Sequence, residues 1–376
     1  MGAVSATIEE VRLLPYRLPL RDPWPTAEGP VTERHGVILA LIDSLGNVGL
    51  GDAAPLPGFG QETIGSSIAA LRLAADRLIG LPTGALLDAA AQLTKLAPVA
   101  ATPAARHAVD LAMHDLAGKI DGAPIARLLG GGEALESVRV NVAVPRVDAA
   151  RSAALAREAI SAGATTLKIK IGGGPLDEDL ERVRRVREVV GSGVALRVDA
   201  NQAWTEEEAL AAIRALASHD IEYVEQPVLA SNVEALARLR RAGLAKIAAD
   251  EAAFDLRAIR RILDAEAADV LILKPMVLGG LHAAREAAAL AGRRGVTTVI
   301  TSMVESAVGR MGALHLAASL GPMPHAHGLA TGSALLSDVA MAPAMKNGVI
   351  EVPDRPGLGL ELDAERLRGA ETVTAA

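Results

Sequence analysis

From residue 138 to about residue 300 the chain repeats one unit, a short apolar run rich in β-branched residues followed by a helical stretch rich in Ala, Arg and Leu. The runs cover residues 138–144, 165–171, 193–198, 221–224, 246–249, 270–273 and 297–300, with a weaker eighth at 325–329. Strands that alternate with helices in this way predict a parallel sheet, and either an open doubly wound sheet or a closed (β/α)-barrel satisfies the pattern. The barrel is favoured. Charged residues recur at the ends of successive strands roughly 25 residues apart, as a ring of equivalent βα units requires.

The first third of the chain has a different grammar. Residues 7–54 alternate apolar and polar side chains in bursts, with turn signals at Arg21-Asp22-Pro23, Gly29-Pro30 and Leu45-Gly46-Asn47, which predicts an antiparallel meander. Leu71, Ala74, Ala75 and Leu78, and further on Val109, Met113, Leu116 and Ala117, then recur at helical intervals. The expected organisation is an α+β domain over residues 1–132 and a (β/α)-barrel over residues 133–344. Residues 347–362, rich in Pro and Gly, are too irregular for another βα unit, so the tail from about residue 345 to residue 376 is expected to complete the first domain.

Composition excludes several chemistries. There is no cysteine, so disulfides, thiolate nucleophiles and Cys-ligated metals are out, and any metal must sit on oxygen or imidazole. Lys and Arg number 38 against 45 Asp and Glu, an acidic balance that gives no general attraction to nucleic acid or to an anionic membrane. No apolar run is long enough to span a bilayer. The opening residues lack the basic and apolar regions of a signal peptide, Ala6 stands where a myristoylation motif wants Ser or Thr, and the cytoplasm is the expected location.

The residues at the strand ends carry the chemistry. In Leu167-Lys168-Ile169-Lys170 the lysines alternate with apolar residues, so on a strand both ammonium groups face one way. A solvated edge strand would explain an isolated pair of this kind, but here the flanks are apolar and helices lie on either side. Two neighbouring positive charges and partial desolvation are expected to lower the lysine pKa, which makes a usable base near neutral pH. Asp199, Glu225 and Asp250 fall at the ends of the next three strands. Three helix N-caps would be the bland account, yet Glu is a poor cap. Three converging carboxylates repel unless a hard cation lies among them, and an oxygen-only set from so few residues suits Mg²⁺, or Mn²⁺ in its place, better than a full Ca²⁺ cage. Lys274 ends the following strand, which a barrel places nearly opposite the second.

The order Lys-x-Lys, Asp, Glu, Asp, Lys on consecutive strands resembles the muconate lactonizing enzyme subgroup of the enolase superfamily. AVDLAMHDLAGK at 108–119, LLGG at 128–131 and VPDRPGL at 352–358 are similar to segments of that subgroup. The resemblance implies an α+β domain capping the barrel mouth and Mg²⁺ held by Asp199, Glu225 and Asp250. It implies Lys170 as the base that takes a proton α to a substrate carboxylate, Lys168 assisting, Lys274 on the opposite face, and an ene-diolate stabilised by the metal. Asn201 and Glu251 are expected to support the ligands, capping being an equal account of both. Phe59, on the loop Pro57-Gly58-Phe59-Gly60, is expected to close over substrate, with Ser302, Met303, Glu305 and Leu329 as further contacts; His325 and His327 are expected to shape the barrel mouth.

The same lysines serve cycloisomerisation, epimerisation and syn elimination within that subgroup, so specificity must come from the cap loops and from strands seven and eight. Residues 34–63 are similar to the cap of o-succinylbenzoate synthases, apart from Asp52 where Glu is usual, and residues 327–332 lack the Asp-x-Asp of dipeptide epimerases. The leading expectation is therefore a synthase of the menaquinone route, a lyase acting on a small carboxylate. A dipeptide epimerase or N-acylamino acid racemase follows, then a cycloisomerase. A catalytically idle binding barrel would not need every ligand position and both lysine sites. No interface is legible, and assembly into a homo-oligomer stays open.

Overall fold

The structure, a computed structural model, describes residues 6–26, 29–56, 59–60, 62–93, 97–362 and 371–373. An antiparallel sheet opens the chain. Strands β1 (Ile8–Thr26), β2 (Gly29–Asp43) and β3 (Val48–Ala53) lie side by side. The turn between β2 and β3 is set by Asp43, whose Oδ1 accepts from Leu45 N at 2.9 Å and Asn47 N at 2.8 Å. Arg21-Asp22-Pro23 is not a turn. It lies inside β1, where the register slips between Pro19 and Trp24, because a proline without an N–H is accommodated by a bulge in the ladder.

Helices α1 (Ile64–Leu78), α2 (Leu86–Ala90), α3 (Ala97–Ala100), α4 (Pro103–Asp121) and α5 (Ile125–Gly130) follow. Thr63 and Ser66 form a capping box that starts α1, and Leu71, Ala74, Ala75 and Leu78 are its buried stripe. Helix α4 packs on bare backbone: a Cβ at Gly49 would lie 2.3 Å from Ala112 O, and one at Gly51 1.8 Å from Ala108 O. Its other side fastens the cap to the barrel. Arg106 donates to the carbonyls of Leu278 and Gly279, and Asp110 accepts Leu281 N at 2.5 Å.

The barrel strands are β5 (Val142–Val144), β6 (Thr166–Lys170), β7 (Ala195–Asp199), β8 (Ile221–Glu225), β9 (Ile247–Ala249), β10 (Val270–Leu273) and β11 (Thr297–Ile300), parallel and in sequence order. Helices α6 (Ala149–Ser161), α7 (Leu176–Val190), α8 (Glu206–Leu216), α9 (Val233–Arg241) and α10 (Leu256–Asp264) cross between them, as do α11 (Pro275–Leu278) with α12 (Leu281–Arg293); α13 (Ala307–Ser319) follows β11. The eighth position is a segment with single parallel bridges, His327 to Val140 and Gly328 to Thr301, and these close the ring. Inside it Tyr223, Ala248, Val270, Ile272 and Val299 pack together.

Residues 138–144 do not form one strand. β4 (Ser137–Arg139) pairs antiparallel with β12 (Val349–Glu351), and only the later part joins the barrel. Ser137 and Arg139 are exposed while Val138 is buried, an alternation suited to a half-covered antiparallel pair and not to a barrel strand buried on both faces. The tail then crosses to α4, where Leu358 N donates to Asp115 Oδ1 at 2.7 Å, and β13 (Glu371–Val373) adds to the cap sheet beside β1. Among the described residues no helix is long and apolar enough to cross a membrane.

Candidate active site

All five charged positions meet at the C-terminal end of the barrel. Lys170, Asp199 and Glu225 are the last residues of β6, β7 and β8, while Asp250 and Lys274 follow β9 and β10 directly. Leu167 and Ile169 are fully buried and Lys168 and Lys170 point the other way, into the ring. In a closed ring of eight positions β6 is second and β10 sixth, four steps apart in either direction. Lys170 and Lys274 therefore stand on opposite sides, with the three carboxylates on the arc between them.

Register brings the acids together: Lys170 pairs with Asp199 and Asp199 with Glu225. Lys168 Nζ lies 2.7 Å from Glu225 Oε1 and 3.0 Å from Asp199 Oδ2. Lys170 Nζ donates to Asp199 Oδ2 and Asn201 Oδ1, both at 2.7 Å, and Asn201 Nδ2 reaches Glu251 Oε1 at 3.0 Å. Lys274 Nζ is in close contact with Asp250 Oδ1. None of the three acids is a helix cap, since Thr205, Asn232 and Asp255 cap α8, α9 and α10.

Electrostatics here runs against one expectation. Burial works to lower the Lys168 pKa, but Asp199, Glu225 and Asp250 outweigh it and hold the ammonium well above its usual range. Lys168 is thus a fixed cation and not a weakened one, because folding places two carboxylates within 3.0 Å of it. Burial also works to raise Asp199, yet Lys168 and Lys170 keep it below the usual carboxylate range. Glu225 is pushed up to about 8 by burial and then by Asp199 and Asp250, and Glu251 to about 7 by burial and then by Asp250 and Asp199.

These acids suit a divalent cation. Glu225 Oε2 and Glu251 Oε2 are buried without a hydrogen-bond partner, and the donor set is all oxygen, the chemistry that Mg²⁺ selects. Among the described residues no three acids or imidazoles are already gathered at metal-binding distance; the Lys168 and Lys274 ammonium groups lie among the carboxylates instead.

The rim is built from both domains. Pro57, Gly58 and Gln61 lie outside the described residues, but the Phe59 ring covers the Lys274 ammonium, 4.5 Å from ring centroid to Nζ. Arg34 secures the root of that loop by donating to the carbonyls of Ala54, at 2.8 Å, and Pro55, at 3.2 Å. Ser302, Met303, Glu305 and Leu329 are all buried. The Ser302 hydroxyl meets Thr331 Oγ1 at 2.5 Å, and the Glu305 carboxylate turns back on its own loop to accept from Met303 N. That loop is strained at Val304, a β-branched residue at φ +60°.

His325 and His327 are both buried in the ring, His325 against the start of β8 and His327 against the end of β11. His327 Nδ1 accepts from Ile300 N at 2.9 Å, and burial, then Arg197 and Arg139, lower its pKa to about 3. His325 Nδ1 meets Glu222 Oε1 at 2.7 Å and its ring stands edge-on to Tyr223. The eighth segment enters the ring from below, so its early residues meet the early residues of β8.

Three groups take structural roles that the sequence reading leaves unassigned. Arg197, fully buried inside the ring, bonds Glu222, Asn141 and the Ala326 carbonyl. Gln226 accepts from Asp250 N at 2.9 Å and Ala252 N at 3.1 Å, bracing the end of β9. Asp52 joins the domains, accepting from Tyr16 Oη at 2.9 Å and from Ser306 Oγ at 2.6 Å. The available signals are an unusual charge inside an apolar strand at Arg197 and the Asp at residue 52 already noted as a departure.

The mandelate racemase / muconate lactonizing enzyme N-terminal domain family matches residues 8–130, and the enolase C-terminal domain-like family matches residues 151–366. The chain belongs to the enolase superfamily. A chloromuconate cycloisomerase of Cupriavidus pinatubonensis is 31% identical over 362 residues, 93% of this chain and 95% of that protein. The crystal structure of N-succinyl Arg/Lys racemase from Bacillus cereus superposes with a TM-score of 0.90 at 28% identity, covering 98% of this chain and 100% of that one. A dipeptide epimerase from Enterococcus faecalis, complexed with Mg and the dipeptide L-Leu-L-Tyr, gives 0.87 at 30% identity, covering 94% and 99%.

Proposed function

We propose that this superfamily member inverts the stereocentre next to the carboxylate of an N-acylated amino acid. The observation that carries the reading is the placement of Lys170 and Lys274 on opposite sides of one ring. Inversion takes the α-proton from one face and delivers another to the opposite face, so each lysine serves as base for one enantiomer and as acid for the other. The racemase and epimerase relatives support this reading over elimination.

Asp199, Glu225 and Asp250 would hold a Mg²⁺ ion, with Asn201 and Glu251 beside them. Bound there, the ion supplies Lewis-acid stabilisation of the charge that builds on the substrate carboxylate as the α-proton leaves. Lys168, held as an ammonium by its carboxylate neighbours, adds fixed positive charge next to the same place. Asn201 orients the Lys170 amine through its 2.7 Å contact. Phe59 closes the Lys274 side and excludes water from it.

An acyl nitrogen is favoured over a free ammonium because the acids at strands seven and eight are already engaged. Between Thr301 and Ala340 the sequence has only Glu305 and Asp338. Glu305 accepts from Met303 N, while Asp338 accepts from Ala307 N at 2.8 Å and pairs with Arg310 at 2.7 Å. A dipeptide's ammonium would find no acid in residues 327–332 and no pair of free carboxylates in that stretch. The second reading, syn elimination to o-succinylbenzoate, draws on the cap segment at residues 34–63 and needs one lysine for proton transfer, with Lys274 as a cation only.

Incubation of N-succinylamino acids, dipeptides and the synthase substrate in D₂O tests the choice. Racemisation predicts α-deuterium with inversion; either Lys170→Ala or Lys274→Ala abolishes the inversion and leaves exchange with retention in one enantiomer alone. Efficient dehydration of the synthase substrate without inversion of any amino acid derivative overturns the proposal in favour of the second reading.

A further inference from the structure

Lys170 ends β6, and the chain turns sharply two residues later at Gly172, φ +85°. Two side chains of α7 close on this turn. Arg182 Nη1 donates to the Lys170 carbonyl at 2.9 Å, Asp179 Oδ2 accepts from Gly172 N at 2.7 Å, and Arg182 Nη2 donates to Asp179 Oδ1 at 2.6 Å. Both residues are buried, at 2% and 0% exposure. The ion pair and the backbone from Lys170 to Gly172 thus form one closed hydrogen-bonded loop.

Burying two charges costs several kcal/mol of desolvation each, which their attraction only roughly offsets, so a well-packed apolar pair would join a helix to a sheet at least as stably. What an apolar pair lacks is direction. Arg182 and Asp179 each spend a charge-assisted hydrogen bond on the backbone that aims Lys170, and such bonds fix position more tightly than packing does. The Lys274 carbonyl is held differently, by the amides of its own helix, Val277 N at 3.0 Å and Leu278 N at 2.9 Å, and among the described residues no charged side chain bonds its backbone; its ammonium meets Asp250 and Phe59 on the far side of the ring.

We infer that Arg182 and Asp179 are positioning residues for Lys170 alone, a clamp acting on one of the two faces of the site. The inference depends on the reading of Lys170 and Lys274 as the two proton-transfer groups. Its consequence is one-sided. Loosening the clamp impairs proton transfer on the Lys170 face and leaves the Lys274 face able to remove and return a proton with retention.

The test uses the double variant Asp179→Leu/Arg182→Met, in which the charges are replaced together, and Arg182→Lys, which keeps the ion pair but not the planar fork that also reaches the Lys170 carbonyl. Exchange of the α-proton for solvent deuterium is followed separately in the L and D forms of N-succinyl-leucine. The expected result is a fall of at least about tenfold for one enantiomer, with the other within about twofold and the thermal midpoint retained. Equal falls for both enantiomers, or no fall in either, overturn the clamp. Lys170→Ala in the same assay separates the two readings, because exchange that survives in both enantiomers overturns the two-lysine reading itself. A crystal structure of either variant needs no substrate. Displacement of Lys170 Nζ from Asn201 Oδ1 supports the clamp, and an unmoved Lys170 overturns it.

Discussion

Asp52 sits at the seam between cap and barrel, and replacing it with asparagine should change how stability depends on pH. Burial, and after it Glu305, raises the Asp52 carboxyl from the usual 3.8 to about 7 against the opposing pull of Ser306, Tyr16 and Arg34. A raised carboxyl pKa means that the folded state binds the proton more tightly than the unfolded state. The stability it lends is therefore complete below about pH 4 and is lost as the pH climbs to about 7, flat beyond; the full span corresponds to about 4 kcal/mol. An amide in its place does not titrate and has no such span. It accepts from Tyr16 or Ser306 but must turn its NH₂ toward another donor, a pH-independent cost of about 1–3 kcal/mol. Asp52→Asn should thus be less stable than the parent near pH 4.5 and level with it or better at pH 8. Urea unfolding of both proteins at half-unit steps between those limits measures the gap directly. A gap that stays constant across the range would refute the argument, since it would mean that the hydrogen bonds from Tyr16 and Ser306 keep the carboxylate ionised throughout.

Mg²⁺ should raise the unfolding transition, by about 2.7 kcal/mol when the free ion exceeds its Kd a hundredfold, and a chelated sample should lose turnover until Mg²⁺ is restored; a transition indifferent to the ion, with turnover intact after chelation, counts against the carboxylate site. Phe59→Ala should raise KM several-fold, while the thermal midpoint falls by no more than the loss of the ring's cation–π contact with Lys274, about 0.5–2 kcal/mol, allows. A lowered midpoint with unchanged KM would make Phe59 a loop anchor instead. Gly172→Ala should cost about 1–3 kcal/mol, because the backbone there has φ +85° and a Cβ would approach Ala203 Cβ to 2.6 Å. Denaturation at the parent's midpoint would show that the turn has room.

The barrel and its charged ring were legible because they obey position: one apolar strand, one polar residue at its end, repeated. Lys170, Asp199, Glu225, Asp250 and Lys274 all stand where that rule places them. The eighth strand was faint because it contributes two isolated bridges and no ladder. Asp179 and Arg182 were invisible for the opposite reason. They lie in LDEDLERVRRVREVV, a helix so dense in charge that nothing in the sequence tells the two buried members from the exposed ones. The Lys168 pKa was misjudged because the adjacent lysine is visible in sequence, while the carboxylates that dominate it arrive from other strands.

Proteins similar to this one are named as cycloisomerases, racemases and epimerases on one fold, which directs attention to what meets the substrate beyond the ring. In this protein the two structures able to do so are fastened to each other. β3 runs from Asp52 into the loop that carries Phe59, and Ser306 ends the β11 loop that carries Ser302 and Met303. The hydrogen bonds from Ser306 to Asp52 therefore fix the root of the Phe59 loop against the end of the β11 loop. A substitution on either loop can therefore act through the Asp52–Ser306 bonds, and its effect on substrate choice should be read against them before it is ascribed to a contact with the substrate.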